Sequence, residues 1–262
     1  MNDFGKNAIV TGATGAIGKA IARQMASKGF HVTIVARDEA KAAKTVDEIR
    51  KSTGNPNVQF LLTDLSKKSD IERIAANWSD PLHVLINNAA ATPRRREVTP
   101  EGIEMQFATN VLGYFWMMEF FTPFLKLGAP ARIVNVASYW AGDLEIHDLE
   151  CKSRRYNNDL IYRQSKQADR MLTAVFAKKL KSFGISVNAV HPGDVNSILS
   201  NNLGYGGHET PDEGADTPVW AATAPELEGK TGKYFERRRE TSCQFAANVQ
   251  LSEQLFEICR KY

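Results

Sequence analysis

Cysteine is scarce in these 262 residues: there are three thiols, Cys151, Cys243 and Cys259. An odd number so widely spaced excludes a disulfide framework, and with no CxxC pair or His/Cys cluster no metal site is expected. Reduced thiols point to an intracellular protein, with the cytoplasm as the expected compartment. Also missing is any run of about 18 apolar residues, so no transmembrane segment is expected. The opening MNDFGKNAIVTG enters a strand pattern at once, leaving no room for a leader. Charge of one sign is missing too: the net charge of +3 is too small for a nucleic-acid-binding surface, so no nucleic-acid partner is expected. No repeat, low-complexity tract or linker divides the chain, and residues 1–262 read as one domain.

What is present is alternation. Short apolar runs at 8–11, 32–36, 58–62, 83–86, 132–136 and 186–190 are continuous rather than alternating in polarity, as in strands buried on both faces. A seventh run spans 233–235. Helical patterns lie between them, at 15–27, 39–51, 69–78, from Thr99 to about Thr122, and at 159–183. Thr99 is the expected N-cap of the fourth, with Pro100 at its first position. Thr210-Pro211-Asp212-Glu213 reads as a capping box opening another helix, and 248–260 as a last one. The fold expected is a doubly wound α/β domain with a seven-stranded, mainly parallel sheet and helices on both faces. Irregular stretches at about 141–157 and 196–217 follow strand C-termini, where such sheets bind ligands, and are the expected substrate loops.

The first strand runs into IVTGATGAIGKAI, with glycines at Gly12, Gly15 and Gly18. Glycines there permit a tight turn and let backbone approach a pyrophosphate at a helix N-terminus. The second strand ends at Ala36 and Arg37, where an NAD-binding chain usually carries an acid for the ribose 2′-OH. Arginine suits a 2′-phosphate, which points to NADP(H); Asp38 beside it is free to cap the next helix. Asp64 is placed to accept from an adenine, or to cap a turn. Asn87 and Asn88 end the fourth strand at the crevice, followed by small alanines. Tyr162 and Lys166, in YRQSK, lie one helical turn apart on one face. Alone, that pair also describes a solvated helix face.

TGATGAIG, INNAA, NVLG, VNVAS, YRQSK and HPGDVNS occur in that order. Together they make the chain resemble the single-domain short-chain dehydrogenase/reductases, with a Rossmann-type fold, over its whole length. The long segment from Ser138 to Tyr162 and the late GKYFE resemble the retinol-dehydrogenase-like branch. The resemblance implies a catalytic tetrad of Asn110, Ser138, Tyr162 and Lys166. Tyr162 would be the general acid/base, Lys166 would lower its pKa and hold the nicotinamide ribose, Ser138 would polarise the carbonyl, and Asn110 would hold a water linked to Lys166. It implies cofactor contacts at Gly12, Thr14, Gly15, Ile17, Gly18, Arg37, Asp64, Leu65, Asn88, Ala89, Tyr162, Lys166, Pro192, Gly193, Val195 and Ser197. His191 is expected in the turn of HPGDVNS rather than as a base.

The expected activity is NADP(H)-dependent interconversion of a carbonyl and an alcohol, on a small-molecule substrate with lipophilic compounds among the candidates. Retinoid, steroid, quinone, sugar and small ketone are all open. One departure is Ala16, which stands where compact members carry the second glycine of TGxxxGxG. The resulting GxxGxxG spacing resembles the extended, nucleotide-sugar type, which this length disfavours. A catalytically idle NADPH-binding regulator is the rival outside enzymes. The helices at 101–122 and 159–183 often pair across a two-fold axis in this family, so a homodimer or homotetramer is expected; Met117, Phe120, Met171 and Phe176 supply apolar surface that core packing explains equally well. Arg94–Arg96 and Arg237–Arg239 read as solvated runs, the first near the rim of the site.

Overall fold

The buried apolar runs form one sheet in the computed structural model, which describes residues 5–262. The first four residues, on which the leader reading partly rests, lie outside the described residues. The strands are β1 (Asn7–Thr11), β2 (His31–Ala36), β3 (Val58–Leu62), β4 (Val84–Asn87), β5 (Ala131–Val136), β6 (Ile185–His191), β7 (Tyr234–Glu236) and β8 (Arg239–Thr241). Their spatial order is β3-β2-β1-β4-β5-β6-β7-β8, parallel throughout except for the antiparallel β8. The helices are α1 (Ala16–Ser27), α2 (Glu39–Thr53), α3 (Lys68–Ala76), α4 (Gly113–Leu127), α5 (Asn158–Leu180), α6 (Ile198–Leu203), α7 (Pro211–Thr223), α8 (Gln244–Ala247) and α9 (Val249–Cys259).

Both faces of the sheet are apolar, which is why the strands read as unbroken runs. Ile9, Leu85, Ile133 and Val187 enter one core with residues of α3, α4, α5 and α9. Their sequence neighbours Ala8, Val84, Ile86 and Val134 enter the opposite core, with residues of α1, α2 and α7. The order reverses between β1 and β4, so β1 and β4 carry their C-terminal ends to the switch point where ligands bind.

The structure departs from the sequence reading in three places. First, the sheet has eight strands. Arg237 and Arg238 have φ of 46° and 59° and form the two-residue turn between Glu236 and its partner Arg239. Such turns usually use Asn-Gly, so a pair of arginines hid the hairpin. Arg238 is ion-paired with Asp216, and Arg237 with Glu209 at 3.5 Å. Second, no helix begins at Thr99. Gly102 has φ +85°, outside the helical region, and its N–H closes a turn on the Thr99 carbonyl at 2.9 Å. The helix begins after Glu104 and includes a π-helical turn, Phe107–Leu112, before α4. Third, Ile198–Leu203 is helical within a stretch expected to be irregular. Of the apolar residues that read equally well as dimer contacts or as core, three are core. Met117 and Met171 are fully buried and Phe120 is half-buried. Phe176 packs edge-on against Phe115 and Phe256 at 5.5 and 5.4 Å, beneath α9.

Candidate active site

The turn from β1 into α1 is shaped by close approaches that only glycine permits. Gly12 has φ +66°, and a Cβ there would lie 2.7 Å from the Ala89 Cα. A Cβ on Gly18 would collide with the Gly12 carbonyl oxygen and lie 2.5 Å from the Asn88 amide nitrogen. The anomalous Ala16 is exposed, so the position that departs from the compact pattern is the one with room for a methyl. Asn88 holds the turn from the far side: its Nδ2 donates to the Thr11 carbonyl at 2.9 Å, while the Asn88 and Ala89 N–H groups donate to Thr11 Oγ1. Helix α1 has no side-chain cap, and Thr14, Gly15 and Ala16 are exposed. Its first N–H groups therefore face outward with the positive end of the helix dipole, which suits a phosphate. An ordinary helix gains from Gly→Ala, but here contact with backbone outweighs propensity. Gly18→Ala is expected to lower unfolding free energy by about 1–3 kcal/mol, read as a reduced urea midpoint; a raised midpoint would show that the turn can relax.

At the end of β2, Arg37 is exposed and makes no side-chain hydrogen bond or ion pair among the described residues. Asp38 is occupied: its side chain N-caps α2 by accepting the Lys41 N–H at 3.0 Å. Past β3, Asp64 Oδ1 accepts from the backbone and hydroxyl of Ser66 at 3.0 and 2.7 Å, so it closes a turn, as its alternative reading had it. The Leu65 carbonyl lies 2.8 Å from where a Cβ on Gly113 would stand. Past β6, Gly193 has φ +103°, and Val195 is buried, bridging Glu209. Ser197 N-caps α6 in a capping box with Ser200. His191 ends β6 rather than entering the turn. It is buried against the Tyr139 ring at 4.4 Å, and burial pulls its pKa down to about 4, which holds it neutral.

Ser138 follows β5, and Tyr162 and Lys166 lie on α5, whose Asn157 N-cap accepts the Leu160 N–H. Ser138 Oγ accepts the Trp140 N–H at 3.1 Å and shares the cleft wall with Tyr162. Burial pushes the Tyr162 phenol above its ordinary value, with Ser138 pulling the other way. Lys166 is 2% exposed and its Nζ lies 5.9 Å from the Tyr162 ring centroid. It donates to the Val136 carbonyl and to Asp169 Oδ2, both at 2.9 Å. Asn110 sits in the π-helical turn. Its Oδ1 accepts the Ala91 N–H at 2.7 Å and its Nδ2 donates to the Ala91 carbonyl and Ser165 Oγ. The Asn110 side chain thereby ties the loop after β4 to α5.

Ser138 and Tyr162 open into a cleft of about 410 Å³ at the C-terminal ends of β5 and β6, with Ile17, Pro192, Gly193, Val195 and Ser197 on its walls. A larger cavity, about 790 Å³, lies at the opposite, N-terminal ends of the strands, and no motif residue lines it. Of the two expected substrate loops, only the second borders the cleft. Residues 141–157 are fastened to α5 instead, through Gln164 and Gln167. The sequence reading missed the aromatic rim of this cleft. Trp140 stacks on Tyr205 at 5.0 Å and meets Tyr139 at 4.8 Å, while the two phenols bond Asp159 and Asp194. The only sign of it was a tyrosine and a tryptophan directly after Ser138. Asp169, three residues past Lys166, was also missed.

Residues 6–205 match the family model described as short chain dehydrogenase. Among curated proteins, human retinol dehydrogenase 12 is 35% identical over 97% of this chain and 85% of its own. Human polyprenol dehydrogenase is 35% identical over 95% of this chain and 82% of its own. Mouse (Mus musculus) retinol dehydrogenase 13 is 33% identical over 90% and 77%. Among solved structures, an uncharacterized protein from Mycobacterium paratuberculosis superimposes with a TM-score of 0.83 at 25% identity, over 98% of this chain and 94% of that one. The Pseudomonas aeruginosa RhlG/NADP active-site complex gives 0.71 at 25% identity, over 89% and 95%. These matches show that the chain belongs to the short-chain dehydrogenase/reductase family of oxidoreductases, in its retinol-dehydrogenase-like branch.

Proposed function

We propose that this chain is an NADP(H)-dependent oxidoreductase interconverting a lipophilic alcohol and its carbonyl compound. The observation that carries the reading is that the buried Tyr162 and Ser138 line one cleft, with the Lys166 ammonium behind the Tyr162 ring. The uncapped α1 N-terminus and the glycine turn fit a dinucleotide pyrophosphate, and the free Arg37 fits a 2′-phosphate. NADP(H), when bound, supplies or accepts the hydride. In the direction of reduction, Tyr162 donates its proton to the carbonyl oxygen and Ser138 donates a hydrogen bond to the same atom. The low-dielectric surroundings strengthen both. Lys166 favours the phenolate that remains, by its charge. To hold a ribose hydroxyl it must first exchange one of its present acceptors.

The lipophilic character rests on the exposed faces of Tyr139 and Trp140 at the cleft mouth. It is also in keeping with the alcohols named in the relatives, retinol and polyprenol. No helix among the described residues is long and apolar enough to cross a membrane. The free thiols, two of them buried, fit a reducing compartment, the cytoplasm in this reading.

Consumption of NADPH with all-trans-retinal, a polyprenal, a steroid ketone and a small ketone tests the proposal. Turnover fastest with an apolar aldehyde is expected. Tight NADPH binding without turnover on any of them would favour the idle regulator.

A further inference from the structure

Asp169 sits three residues past Lys166 on the same face of α5, and its side chain is fully buried. Its Oδ2 accepts the Lys166 Nζ–H at 2.9 Å, and its Oδ1 has no hydrogen-bond partner among the described residues. A carboxylate kept for architecture is normally saturated with donors, because burying an ion otherwise costs more than it returns. This one has a single bond, and that bond goes to a residue of the tetrad. Lys166 is nearly as buried, and its other acceptors are the neutral Val136 carbonyl at 2.9 Å and the Tyr114 hydroxyl at 3.5 Å. Asp169 is thus, among the described residues, the one anion in contact with the ammonium behind Tyr162.

We propose that Asp169 is a positioning residue of this site: by ion-pairing with Lys166 it offsets the ammonium charge behind Tyr162 and so sets the pH at which the phenol gives up its proton. The proposal rests on the reading of Tyr162 as proton donor and Lys166 as its cationic neighbour. It implies that an ammonium with a permanent counter-ion lowers the phenol pKa less than a lone one would. The titratable groups facing the pair are Tyr162 on α5, Tyr114 on α4 and Cys259 on α9; all three stand above their ordinary values, chiefly through burial, with the Asp169 charge adding to each. Asp159, at the start of α5, acts on Tyr162 in the same sense. Burial pushes the Asp169 carboxyl itself up to about 7, against the pull of Lys166. With Asp169 protonated, Lys166 stands uncompensated; with Asp169 ionised, its charge is offset.

The test uses the full chain labelled at the tyrosine ring carbon that bears the hydroxyl. The Tyr162 signal, assigned by its loss in Tyr162→Phe, is titrated in wild type and in Asp169→Asn, which keeps the shape and a hydrogen-bond acceptor. The expected result is a Tyr162 midpoint lower by about one unit in Asp169→Asn. An unchanged or raised midpoint overturns the proposal. If Asp169→Asn does not fold, aspartate labelled at its carboxyl carbon is titrated in wild type instead. A carboxyl whose titration moves the Tyr162 signal supports the proposal; one that titrates without moving it overturns it. Retinol oxidation with NADP supplies a second measurement, in which the alkaline-rising limb of kcat/KM is expected to shift toward acid by the same amount in Asp169→Asn. Absence of any turnover in wild type would count against the oxidoreductase reading, while the phenol titration would still decide the role of Asp169.

Discussion

Tyr162→Phe is expected to lower kcat by about 10²- to 10⁴-fold, the range for loss of a positioned general acid. NADPH affinity should stay within a few-fold of wild type. The substitution removes one hydroxyl and leaves the buried ring in place, so the fold has little reason to change. Equilibrium binding by NADPH fluorescence and single-turnover cofactor oxidation separate the two effects. Single-turnover oxidation at the wild-type rate in the variant would remove Tyr162 from the chemistry and leave Ser138 or a bound water as the proton source.

Arg37→Ala is expected to weaken NADPH by roughly tenfold or somewhat more, and to leave NADH within a factor of two. Only NADPH carries a 2′-phosphate for the guanidinium to meet. A hydrogen bond to a charged group contributes about 1.5–3 kcal/mol, and the lower figure applies because Arg37 is exposed and water screens it. About 1.4 kcal/mol is a factor of ten in Kd. Asp38 does not compete for the guanidinium, since its carboxylate caps α2. Ala36→Asp added to Arg37→Ala should reverse the preference, because a carboxylate there repels the phosphate and accepts from the ribose hydroxyls. Titration of both cofactors into the three proteins checks this. Equal weakening of NADPH and NADH by Arg37→Ala would show that the arginine acts on the fold or on general binding and does not read the phosphate.

The sequence by itself determined the parallel sheet, because strands buried on both faces must be apolar along their whole length. It determined the site of the glycine turn, the Asp38 and Thr210 caps, and the placing of Tyr162 and Lys166 on one helix face, because each of these is local and written within a few residues. It also placed Ser138 and Tyr162 in one site, through the order of the motifs rather than through any local pattern.

What only the tertiary structure decided depends on partners distant in the chain. The eighth strand exists because Arg237 and Arg238 adopt left-handed φ in a turn whose residues also pair with α7 and Glu209, across 22 and 28 positions. The apolar faces of Met117, Met171 and Phe176 read equally well as an interface or a core, and packing against the rest of the protomer, including α9, made them core. Asn110 was placed correctly on the helix before α4, but its amide bonds Ala91 and Ser165, 19 and 55 residues away, which no spacing rule foretells. Lys166 shows the limit most clearly. Its position one turn from Tyr162 was fixed by helix geometry. Where its charge goes was fixed by burial, which withdraws water from the ammonium and makes the nearest carboxylate, Asp169, its partner.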